Sequence, residues 1–174
     1  MGNWYANIAV RHSNQNAIVE YCRRESIQAF VSGVQGDWIF VYDRASNDMD
    51  WEHLEELGRE LSREFNCDTL GSMNADDDSL GLQLHQRGEL VVKYDSSAIR
   101  RRGAWQLALA FKKLHALPLI WIAMHRPSLF AIGRHTAIAR LLGVPEKPSV
   151  LGYEYVQEDD LDCPPGFHEG LVRI

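Results

Sequence analysis

Acidic residues are missing from one long stretch of this 174-residue chain: positions 98–145 hold eight Lys/Arg and not one Asp or Glu. The flanks are the reverse. Residues 1–97 carry eight basic against seventeen acidic side chains, and residues 146–174 two against seven, for a formal net charge of −6. A negative total argues against general attraction to polyanions, which needs a basic surplus. Cysteine is scarce. Cys22, Cys67 and Cys163 are odd in number and show no C-x-x-C spacing. That excludes a disulfide framework and predicts reduced thiols in a reducing compartment. Long apolar runs are missing too. The longest, Leu117 to Met124, is eight residues and contains Pro118, against the ~20 a membrane span requires. The opening Met1-Gly2-Asn3-Trp4-Tyr5 has no basic start followed by an apolar run, and Ala6 stands where an acylation motif wants Ser or Thr, so a cytoplasmic protein is expected. G-x-x-x-x-G-K-[ST], G-x-G-x-x-G and G-x-S-x-G do not occur, which removes the usual nucleotide, dinucleotide and hydrolase signals. Internal repeats and low-complexity segments are absent as well.

What is there reads as one α+β domain over 1–174: an acidic sheet-and-helix core (1–97), a basic helical segment (98–145) and an acidic tail packed on the core (146–174). Hydrophobic content of 45% and charged content of 24% are ordinary for a globular chain. Residues 4–11 alternate as a strand. Ser13 or Asn14 then caps a helix through Ile18, Tyr21 and Cys22, with Arg23 and Arg24 at its end. Residues 27–32 and 38–43 form paired strands, the second apolar on both faces and therefore central. Asp48 or Asp50 caps a helix whose seam is Trp51, Leu54, Leu57, Leu61 and Phe65. A hairpin follows, from Thr69–Met73 into Leu80, Leu82 and Leu84, then through Gln86-Arg87-Gly88 to Glu89–Tyr94. The order predicts a small, mainly antiparallel sheet with a ferredoxin-like βαββαβ core plus an extra hairpin strand. A C-terminal helical segment comes after it. In that segment Ala104, Leu107, Ala108, Phe111 and Leu114 share one face, and Trp105 and Leu109 on the other predict a helix covered on two sides. A last helix starts at Ser128 and stops at Gly143. Val150 to Val156 looks strand-like.

Three features point toward binding chemistry. Asp76-Asp77-Asp78 offers oxygen ligands suited to a divalent metal such as Mg²⁺ or Ca²⁺. The EF-hand register fails in both frames, with His85 or Arg87 at the position that needs Glu. The preferred reading is a solvated hairpin tip in which Asp caps its own backbone. Arg100, Arg101 and Arg102, with Arg134 further on, are candidate anion-binding residues. Trp105 and Trp121 stand among them as possible stacking platforms for nucleic acid. The preferred alternative has the basic segment docking on the acidic core and neutralising it. Arg134 falls between Phe130, Ala137, Ile138 and Leu141 on a helical wheel, so it points inward and needs a partner, an acid of the fold or an anionic ligand. None of the seven histidines makes H-x-x-x-H or H-E-x-x-H, so no zinc site is visible. A His–carboxylate pair could still form through folding.

Asn3-Trp4-Tyr5-Ala6-Asn7-Ile8, Val41-Tyr42-Asp43, Asn74-x-Asp76-Asp77-Asp78-x-Leu80 and Gly152-Tyr153-Glu154-Tyr155 together resemble an uncharacterised group of bacterial proteins over most of the chain. The resemblance implies a bacterial cytosolic origin and no activity. With no catalytic motif and no identified cofactor, the sequence favours a non-catalytic binding or regulatory protein whose partner is another protein. A metal-dependent enzyme using Asp76–Asp78, or nucleic-acid binding through residues 100–140, are the alternatives.

Overall fold

Every side chain of β1 (Tyr5–Val10) is buried, which requires cover on both sides of the sheet, since successive side chains point to opposite faces. The computed structural model of the chain describes residues 3–12, 14–99, 102–125, 130–158, 163 and 166–174, and it supplies that cover as two layers. β1 leads to α1 (Gln15–Arg24), then β2 (Ala29–Val31) and β3 (Ile39–Asp43), then α2 (Trp51–Glu64) and β4 (Asp68–Ala75). β5 (Ser79–Gln86) and β6 (Glu89–Asp95) continue as hairpins, and β7 (Val172–Arg173) closes the far edge. The seven strands lie in the order β6-β5-β4-β1-β3-β2-β7, and every pairing is antiparallel.

Ala6, Ile8 and Val10 of β1 pack with Ile18 and Cys22 of α1 and with Leu54, Leu57 and Leu61 of α2. Asn14 caps α1 by accepting from the Ala17 amide at 3.2 Å. Asp50 caps α2 by accepting from the amides of Glu52 and His53, both at 3.0 Å. Ser13, the other candidate cap of α1, lies outside the described residues. The opposite face of the sheet carries Ala9, Phe40, Tyr42, Leu80, Leu82, Leu84 and Tyr94. It is covered by α3 (Ala104–Ala110), α4 (Leu117–His125) and α5 (Ala131–Leu142), and over β1 and β3 by the short helices α6 (Glu146–Ser149) and α7 (Tyr153–Gln157), the latter reaching β2 as well.

The architecture is α+β, but the sheet is not small. The hairpin strands β5 and β6 extend one edge and β7 adds to the other. The segment Val150–Val156 is not a strand. From Tyr153 it is helical, because Tyr153 and Val156, three apart, both turn into the core. α5 ends as its sequence predicts, on Gly143 at φ 80°. Its N-terminal boundary falls after Phe130, and Ser128 lies outside the described residues.

Candidate interaction surface

The basic segment folds as a short helical hairpin. α3 starts on Gly103, whose φ of 113° suits glycine. It ends where Lys112 turns left-handed at φ 56° and the Lys113 amide bonds the Ala108 carbonyl at 2.7 Å. A 3-10 turn over Leu114–Ala116 feeds α4, whose first turn accommodates Pro118 because amides there have no intrahelical acceptor.

Both helices exceed what the sheet can cover. α3 buries Ala104, Leu107 and Ala108, and α4 buries Ile120, Ala123 and Met124. The remaining apolar side chains face solvent, with Trp105 56%, Leu109 55%, Leu119 56%, Trp121 55% and Ile122 48% exposed. The expectation that α3 is covered on two sides is therefore overturned: only its sheet-facing side has a partner layer. Between the helices runs a groove of about 500 Å³, lined by Ala104, Trp105, Leu117, Pro118, Trp121 and Ile122. Trp121 is held in place. Its ring stacks on His125 at 4.5 Å between centroids, and His125 Nδ1 donates to the Trp121 carbonyl at 2.8 Å.

Cations flank α3 along the chain. Arg102, two residues before α3, and Lys112, two residues after it, are exposed. No ion pair between described residues involves Arg102, Lys112 or Lys113, whereas Arg140 pairs with Glu146 at 2.7 Å. The acidic core instead answers its own charges, as in Arg24–Glu64 (2.9 Å) and Lys93–Glu55 (2.6 Å). Neutralisation of the basic segment by the core is thus not seen at these three positions. Arg100 and Arg101 lie outside the described residues. Arg134 is 5% exposed on α5, beside His135, and so stands apart from the surface cations.

The three aspartates occupy the β4–β5 turn, Asp76 and Asp77 both left-handed at φ 54° and 58°. Asp77 is engaged structurally: its carboxylate accepts from the Asn3 amide (3.2 Å) and from the side-chain amides of Asn3 and Asn74 (both 3.1 Å). Asp76 and Asp78 are exposed. Among the described residues no group of three His, Cys, Asp or Glu side chains gathers in a metal-binding arrangement.

Folding also makes pairs that sequence spacing did not reveal. His53 Nε2 lies 2.8 Å from the buried carboxylate of Asp43, which accepts from Ser46 Oγ and the Ser46 amide as well. The pair sits on the wall of an open cavity of about 450 Å³. The Tyr5 hydroxyl and His135 Nδ1 are 2.8 Å apart under α5. Burial pushes His135 down to about 3 and holds the Tyr5 hydroxyl well above its ordinary value. On the other face His85 is lowered to about 4, by burial first and then by Arg59 and Lys93, against Glu55. The exposed face of α3 and α4 had one signal in the sequence, a run from Leu117 to Met124 that is apolar on every side of a nine-residue helix. Such a helix needs either a second cover or a partner.

Among the described residues no helix is long and apolar enough to cross a membrane. Comparison with known proteins finds no family model that matches the chain, no curated protein that is similar to it and no solved structure that matches it.

Proposed function

We propose that this is a non-catalytic binding protein and that the exposed face of α3 and α4 is where another protein docks. The observation carrying this reading is the groove itself: Trp105, Trp121 and Ile122, each about half exposed, line it across two helices, and Leu109 and Leu119 of the same helices are exposed as well. Such patches mark interaction sites on soluble proteins, and Trp is the residue most enriched where binding energy concentrates. Isolated exposed apolar side chains would need no explanation; a groove with almost no polar lining does. We also infer that β1 to β4 with α1 and α2 form a ferredoxin-like core, since the strand order β4-β1-β3-β2 with two split crossovers is what that arrangement requires. The free cysteines accord with a bacterial cytosolic setting.

The test is photocrosslinking in cells of the source, with a photoreactive amino acid at position 121 and, as control, at exposed Glu56 of α2. A discrete protein adduct from 121 alone is expected. Adducts from neither position, or equally from both, would remove the docking face.

A further inference from the structure

Resting on that reading, we infer that the occupant of the groove is an amphipathic helix of another protein, with acidic side chains bracketing an aliphatic stripe. Three properties of the site select it. The first is backbone chemistry. The groove wall is Ala, Leu, Pro, Ile and Trp, with no carboxylate or amide side chain to pair with a peptide backbone. An extended strand laid there would bury unsatisfied amides and carbonyls, whereas a helix satisfies its own.

The second is charge. Arg102 and Lys112 stand at the two ends of α3 without ion-pair partners among the described residues, and the whole segment 98–145 is free of carboxylates. Arg102 and Lys112 are ten positions apart, beyond the two caps of the helix, a span of about 15 Å at 1.5 Å per residue. A partner helix running alongside α3 meets both cations with acids about ten positions apart, its aliphatic side chains between them entering the groove. A second copy of this chain fits badly. A two-fold contact sets the same patch against itself, bringing Arg102 and Lys112 of one copy toward the same cations of the other, and like charge across an interface costs affinity.

The third is shape and composition. The open groove between two short helices offers a seat for side chains that project from a partner. The wall is chiefly aliphatic, whereas single-stranded nucleic acid wants successive aromatic platforms.

The experiment compares three synthetic helices that share one leucine stripe and carry Glu, Gln or Lys at the flanking positions. Binding to the full chain is followed by fluorescence anisotropy of the labelled peptide and by tryptophan emission. The Glu peptide should bind at least about tenfold tighter than the Lys peptide, a preference that collapses at about 0.5 M salt. Trp121→Glu should abolish binding of all three while leaving the thermal melt unchanged, and Arg102→Glu with Lys112→Glu should reverse the order. Equal affinity for the Glu and Lys peptides would overturn the inference, as would no binding at all. So would tighter binding to phosphatidylglycerol vesicles or a single-stranded oligonucleotide, or a concentration-dependent dimer that Trp121→Glu dissolves. A protein adduct at position 121 together with failure of the Glu peptide would leave the docking face standing and remove the acidic helix. Absence of the adduct would remove the docking face itself.

Discussion

Gly81 shows what one missing methyl group does. The Trp51 ring, at the start of α2, packs against this glycine of β5, so a Cβ at position 81 would overlap it. Gly81→Ala should destabilise the chain by about 1–3 kcal/mol, the usual cost of overpacking. Trp51→Leu should recover part of that loss in a double-mutant cycle by urea denaturation, because residues in contact are not additive; strict additivity would deny the contact. At the β4–β5 turn Asp77 is the residue to change. Asp77→Ala removes three hydrogen bonds from Asn3 and Asn74 and should lower stability by about 1–3 kcal/mol, since bonds to charged groups are the stronger ones. With that carboxylate turned inward, millimolar Mg²⁺, Mn²⁺ or Ca²⁺ should leave the Tm unmoved. A clear cation-dependent rise in wild type that is lost in Asp77→Ala would restore the aspartate run as a metal site. The sequence made the turn legible through its three aspartates, but not Asp77's partner Asn3, seventy-four positions away.

Helices that begin on short polar side chains and carry one apolar seam were the elements most readable in advance. In α2, Leu54, Leu57 and Leu61 are buried and the seam's ends, Trp51 and Phe65, are half-buried. Its cap resolves to Asp50, and Asp50→Ala should cost about 1 kcal/mol with no change in fold, measurable as a shifted denaturation midpoint. The strand order was not readable, because pairing depends on which edges meet in space. Nor was the exposure of α3 and α4: Leu107 and Leu109 look alike in sequence, yet Leu107 is fully buried and Leu109 faces solvent. The difference lies in how much sheet is available to cover them. The Asp43–His53 and Tyr5–His135 pairs were hidden for a related reason, since each joins groups from separate elements brought together only by the tertiary fold.

The molecule as a whole holds two histidines in a neutral state, and stability should record it. Folded His85 and His135 take up a proton only near pH 4 and pH 3, whereas in the unfolded chain both do so near pH 6.5. Between those limits the unfolded state binds more protons, so unfolding becomes easier as pH falls below about 6.5. Each histidine contributes at most about 1.4 kcal/mol per pH unit in that window. Denaturant titrations from pH 7 to pH 5 should show the decline, and His135→Asn should flatten it relative to its own value at pH 7. A slope unchanged by that substitution would assign the pH dependence elsewhere.

The placement of β1 has a consequence in time. It is synthesised before both of its neighbours, β3 and β4, and its Tyr5 waits for His135. β1 therefore waits through the synthesis of residues 11–75 for its two neighbours to be complete. Refolding should belong to the slow, high-contact-order class, in milliseconds to seconds rather than microseconds. A nascent chain that stops before residue 68 has no second edge for β1 to pair with, and should rely on a chaperone or on the ribosome surface for that interval.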